Sequence, residues 1–118
     1  MIILTNILVG VVALLHVYFL VLEMFLWDKP FGLRTFGNTL EQASASKVLA
    51  MNQGLYNGFL AAGLIWGLCL GEAGTSVKIF FLVCIVVAGI FGGLTASRKI
   101  LFVQALPAAI TLALIIFA

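Results

Sequence analysis

Residues 47–70 read KVLAMNQGLYNGFLAAGLIWGLCL, and the reading of this stretch decides the fold. Its length suits a bilayer-crossing helix, which needs about 20 mostly apolar residues. Yet its first half gathers Asn52, Gln53, Tyr56 and Asn57 among glycines, in a chain that is otherwise mostly oil. Of 118 residues, 64% are apolar and 8% are charged. Soluble domains carry roughly a quarter charged residues, and no soluble fold of this length hides so much apolar surface. Lipid is therefore the solvent, and 47–70 is read as a spanning helix that carries a polar patch. A formal charge of +2 without any basic run excludes nucleic acid as a partner.

Working outward, three further segments have spanning length: 2–27, 77–95 and 100–118. The first has no Lys or Arg ahead of it and no small-residue cleavage site, so it is expected to stay as an anchored helix. Short connections between long helices predict an all-α, membrane-spanning four-helix bundle, running up-down-up-down as one domain over 1–118. The one substantial loop is 28–46. Pro30, Gly32, Gly37 and Asn38 break helix there, and a short interfacial helix is expected over 38–45. Thr75 or Ser76 is placed to cap the third helix, and Pro107 should kink the fourth. The pairs Gly54/Gly58, Gly63/Gly67 and Gly89/Gly93 each have G-x-x-x-G spacing, which lets helix backbones approach in lipid.

Orientation follows from the cations beside the spans. Lys29, Arg34, Lys47, Arg98 and Lys99 fall on one side and Lys78 alone on the other. The loop 28–46 is therefore cytoplasmic and both termini lie outside. Trp27 and Trp66 fit as interfacial anchors. Cys69 and Cys84 have no metal-ligand or redox spacing and are read as two buried, inert thiols, with a disulfide as the alternative if both lie near one membrane face; no cofactor is implied.

Depth brings the polar residues together. At 1.5 Å per residue, Glu23 lies about 6 Å inside the cytoplasmic end of the first helix. Asn52 and Gln53 on the second helix and Gln104 on the fourth lie at similar depth. One level deeper, His16 matches Tyr56 and Asn57. His16 and Glu23, seven residues apart, share nearly one helix face. This predicts a polar pocket in the cytoplasmic half of the bundle, with Glu23 and His16 as acid/base groups. Asn52, Gln53, Tyr56, Asn57 and Gln104 would bind ligand there, with Arg98 and Arg34 near the mouth.

Each residue also has a plainer reading. Asn, Gln and Tyr in membrane helices often supply only interhelical hydrogen bonds, worth about 1 kcal/mol or less. A buried His can be a neutral structural residue. Glu23 is harder to set aside, because an unpaired charge in hydrocarbon costs roughly 2.5 kcal/mol or more. It must be paired, protonated or wetted. No Ser/His/Asp set, P-loop or metal site is present.

The segments LLHVYFLVLEMFLW, KPFG and NQGLYNGFLAAGLIWG resemble a family of small bacterial membrane proteins, the domain of unknown function 1304 family. The likeness covers essentially the whole chain. It implies a four-span protein of the bacterial cytoplasmic membrane and groups His16, Tyr18, Glu23, Trp27, Pro30, Gly32, Phe36, Asn52, Gln53, Gly54, Tyr56, Asn57 and Gly58 as motif positions. It names no chemistry. At the level of fold alone, the chain is also similar to the membrane-associated eicosanoid and glutathione metabolism proteins. Leu55 stands where their second-helix motif has Glu, and only Arg98 stands for their arginine-rich stretches, so no glutathione site is implied.

Three functions compete. The first is binding of, or acid/base chemistry on, a small amphiphilic or lipid-like molecule in the pocket. The second is a structural or partner-binding membrane subunit held in register by its polar groups. The third is proton-coupled transport by a homo-oligomer with Glu23 as carrier. The cation bias argues against a dual-topology dimer, and a transport path needs polar groups in both halves of the bilayer. The expected partners are the lipid bilayer, the amphiphile and further copies of the chain.

Overall fold

The apolar run of the first 24 residues has no breaker, and in the computed structural model, which describes residues 1–118, it is one helix, α1 (Ile2–Met24). All regular structure is helical. After α1 come α2 (Pro30–Phe36), α3 (Leu40–Cys69), α4 (Thr75–Thr95) and α5 (Arg98–Phe117). Three stretches are long and apolar enough to cross a membrane: Ile2–Met24, Gly71–Thr95 and Arg98–Phe117. They expose large apolar side chains such as Ile3, Leu14, Phe91, Leu94 and Phe102, as lipid-facing helices do. α3 stands apart. At 30 residues it is the longest helix, about 45 Å, but Asn52, Gln53 and Asn57 and its polar first turns dilute its hydropathy.

The segment between α1 and α3 differs from the expected one. The short helix forms over Pro30–Phe36, ahead of the expected 38–45. Pro30 opens it, since a first-turn residue needs no donor and proline's fixed φ suits a helix start. Gly37 ends it at φ 68°, in the left-handed region that favours glycine. Residues 40–45 then belong to the first turns of α3, which a reciprocal capping box starts early. Thr39 N donates to Gln42 Oε1 at 2.9 Å, and Gln42 N donates to Thr39 Oγ1 at 3.1 Å. Before α4, a 3₁₀ turn over Gly71–Gly74 runs directly into the helix; Thr75 caps nothing and donates its hydroxyl to Glu72 O.

The chain forms two compact units, residues 14–61 and residues 1–13 with 62–118, whose borders fall inside α1 and α3. In the first, the end of α1 packs antiparallel on α3. A Cβ on Gly54 would lie 2.6 Å from Met24 Cγ, and one on Gly58 2.7 Å from Leu20 Cδ1. In the second, α3 from Gly63 to Gly67 packs antiparallel on α4 at Phe81 and Lys78, and α4 at Gly89 and Gly93 packs antiparallel on Ala105 and Leu101 of α5. Without glycine these backbones would have to separate.

Pro107 acts through a change of helix type. The five residues before Leu106, Leu101–Ala105, form a π turn, and Leu106 N donates to Leu101 O. Proline in a helix interior removes one donor and crowds the carbonyl four residues back. The widened turn relieves that crowding just ahead of the ring.

Candidate functional site

The site takes shape in the unit 14–61. α1 delivers His16 and Glu23 on one face, and α3 meets that face with Gly54, Asn57 and Gly58. Asn57 is 4% exposed, and its Nδ2 donates to Oε1 of Glu23. Glu23 itself is half-buried. Its carboxylate accepts from that amide, and the residue as a whole keeps part of its surface exposed.

Asn52, Gln53 and Tyr56 are all exposed. At 100° per residue, Gln53 lies about 40° from Asn57, Tyr56 about 100° and Asn52 about 140°. From the expected set, Glu23 and Asn57 are joined by a hydrogen bond within this unit. The other three line an adjoining open face of the same helix. His16 is fully buried, with its ring edge-on to Phe19 at a centroid distance of 5.3 Å. It lies two helical turns from Glu23, roughly 10 Å along the axis, so the two do not form a contacting acid/base pair. Gln104, half-buried in the π turn, and Arg98, exposed at the start of α5, belong to the other unit.

At the rim of this unit the chain is tied down. Trp27 Nε1 donates to Ser46 Oγ at 3.2 Å, Lys47 Nζ pairs with Asp28 Oδ2 at 3.0 Å, and the Trp27 ring lies 4.8 Å from that of Phe36. Lys47, donating its hydrogen bond to Asp28, holds that carboxyl below the usual carboxylate range.

A family model described as "Protein of unknown function (DUF1304)" matches residues 10–116. The chain belongs to this family. A relative in Lactococcus lactis subsp. lactis (strain IL1403), "Uncharacterized protein YpaA", is 35% identical over 106 residues, covering 88% of this chain and 89% of the relative. No solved structure matches. The family match takes in every residue of the candidate site, from His16 to Gln104.

One buried polar pair in this family member escaped the reading of the sequence. Lys78, taken as a flanking charge, is 5% exposed, and its Nζ donates to Asn6 Oδ1 at 2.9 Å. Its stem lies against Gly67, where a Cβ would come within 2.7 Å of Lys78 Cγ. A signal was available in IILTNILVG: an amide in an apolar run needs a partner, and Asn6 had none assigned.

Proposed function

We propose that this DUF1304 protein is a four-span bundle, running up-down-up-down in the bacterial cytoplasmic membrane, that holds the polar end of an amphiphilic, lipid-like molecule along α3. The observation that carries this reading is the exposed face of Asn52, Gln53 and Tyr56 beside the half-open Glu23–Asn57 pair. Counted from Ser46, which bonds the interfacial Trp27, Asn52 lies about 9 Å and Tyr56 about 15 Å along α3. At such depth in a hydrocarbon core about 30 Å thick, acyl chains offer no hydrogen bonds. Exposed amides there cost free energy until something polar covers them. An amphiphile does so with its headgroup while its chains stay in lipid. Glu23 is the acceptor, or acid/base group, that such a headgroup meets. His16 reaches no ligand in this conformation and serves to position α1.

The burial of Lys78 supports the orientation with both termini outside. Held against Asn6, it is withdrawn from the surface, so the exposed cations Lys29, Arg34, Lys47, Arg98 and Lys99 all flank the two connections assigned to the cytoplasm.

The test is native mass spectrometry of the protein purified in mild detergent. A bound lipid-like mass is expected in wild type, lost in the Gln53→Leu/Tyr56→Phe variant and in Glu23→Gln, with helicity and thermal unfolding retained. Wild type free of any such molecule, or variants that keep it, would sink the reading. Self-association is a second reading, favoured because Asn and Gln carry both donors and acceptors and so complement a second copy of the same face. A dimer or higher oligomer that the same variant dissociates, with no bound small molecule, would select it.

A further inference from the structure

The segment between α1 and α3 holds three cations, and the structure treats them unequally. Lys47 is neutralised by Asp28. Lys29 and Arg34 are exposed and form no ion pair. The remaining acid of the segment, Glu41, is exposed in the first turn of α3, where the helix dipole favours a carboxylate. It forms no ion pair either.

α2, which carries Arg34 and starts just after Lys29, is held close to the end of α1. Gly32 is buried, and a Cβ there would collide with the backbone carbonyl of Leu26 and approach Trp27 Cα to 3.2 Å. Phe36 packs at a tilt against Trp27, whose indole is bonded to Ser46. The platform also presents apolar rings outward: Phe31 is 45% exposed and Phe36 41%. Exposed rings and cations outside any ion pair, at one short helix tied to an interfacial Trp, carry the two chemistries a bilayer surface offers partners for, acyl chains and phosphates.

We propose that α2 is a lipid-recognition platform, on which Lys29 and Arg34 bind the phosphate-bearing headgroup of an anionic phospholipid while Phe31 and Phe36 rest against its chains. Arg34 brings a guanidinium fork suited to two phosphate oxygens, and Lys29 adds a point charge. The platform rests on the membrane reading alone and is independent of what α3 holds. It is built from the two cations of the segment outside the Asp28–Lys47 salt bridge, and that distinguishes it from a general attraction of positive loops to the membrane.

The experiment reconstitutes the protein in nanodiscs of phosphatidylcholine with a minor share of phosphatidylglycerol. Native mass spectrometry then counts the phosphatidylglycerol retained on the released protein. Enrichment over the bulk ratio is expected in wild type. It should fall about fivefold for each of K29Q and R34Q, the equivalent of roughly 1 kcal/mol per cation, and persist in K47Q, which removes the same formal charge. An equal fall in K47Q would reduce the effect to net charge and overturn the proposal, as would no enrichment in wild type. Excess inorganic phosphate should leave the count unchanged; displacement by phosphate alone would reassign the cations to a soluble anion and overturn the lipid. The single variants keep Gly32 and Phe36, and unchanged thermal unfolding verifies that the platform is intact. The Gln53→Leu/Tyr56→Phe variant should retain enrichment, so that failure here and failure of the α3 reading are told apart.

Discussion

Two polar pairs, one in each compact unit, are built from the same parts with opposite exposure. In the unit 1–13 with 62–118, the charged partner, Lys78, is buried and its amide, Asn6, is half-open. In the unit 14–61, the amide, Asn57, is buried and the charged partner, Glu23, is half-open. A buried ammonium with its stem against Gly67 can only hold α1 and α4 in register. A half-open carboxylate already steadied by one donor has acceptor capacity left for a ligand. Both sit in apolar helices and both satisfy the demand that a polar group in lipid be partnered. Only the second leaves its charged residue partly exposed.

The largest expected effect tests the closed pair. Lys78→Ala removes a charge-assisted hydrogen bond, orphans Asn6 and leaves space beside Gly67, for a loss of about 2–3 kcal/mol in detergent-micelle unfolding. Replacing both partners, Lys78→Met with Asn6→Leu, should recover most of it, because an apolar pair of similar volume avoids the desolvation of both groups. If Lys78→Ala unfolds like wild type, the pair holds nothing and the contrast with Glu23 collapses.

Next in size is the open pair. Asn57→Leu takes away the donor of Glu23 and should cost about 1 kcal/mol, the scale of interhelical hydrogen bonds in membranes. Glu23→Gln should cost less, because a glutamine carbonyl still accepts from Asn57. A double-mutant cycle on the two gives their coupling. A coupling indistinguishable from zero would detach Glu23 from α3. Coupling as large as the loss in Lys78→Ala would make both pairs structural.

How much of this was legible in the sequence turns on what determines each feature. Helix content followed from long apolar runs, and the three G-x-x-x-G pairs found helix partners because small residues are what lets backbones approach. Boundaries were less visible. α3 starts at Leu40 because of the Thr39–Gln42 box, a local hydrogen-bond choice that competed with the Gly37–Asn38 breaker signal. At the site, depth matched Glu23 with Asn52 and Gln53 and put Asn57 one level deeper, beside His16, yet it is Asn57 that bonds Glu23. Depth says nothing about azimuth, and an arc of roughly 140° on α3 is wide enough that one end faces α1 while the other faces out. Tyr56 and Asn52 fall toward the outer end, and Gln53 lies between them and Asn57. Lys78 was misread because a lysine near a turn ordinarily snorkels outward, and the pull of Asn6 came from another helix.

The exposed face supplies a smaller effect on stability. Asn52→Leu, Gln53→Leu and Tyr56→Phe touch no buried contact and should each change unfolding by within about 0.5 kcal/mol. They should nonetheless release whatever covers α3. A face whose removal destabilises the monomer as much as Asn57→Leu would belong to the packed interior, and the boundary between closed and open regions would have to move.

The smallest effect belongs to the rim, where Asp28 and Lys47 form the pair nearest water. The hydrogen bond from Lys47 keeps the Asp28 carboxyl below the usual carboxylate range in the folded protein. A carboxyl with a depressed folded pKa contributes stability that is fully present above its unfolded value, about 4. That stability disappears as pH falls through the lower folded value. Wild type should therefore lose a little more thermal stability than Asp28→Asn on acidification below about pH 4, the other carboxyls being common to both. Salt should shrink the difference, because solvent-facing charges are screened. The same acid-limb difference measured in Lys47→Gln should be clearly smaller, since the largest cause of the shift is then gone and only a backbone hydrogen bond and Lys29 still lower it. A difference undiminished in Lys47→Gln would assign it to another group and leave the rim held by Trp27, Ser46 and Phe36 alone.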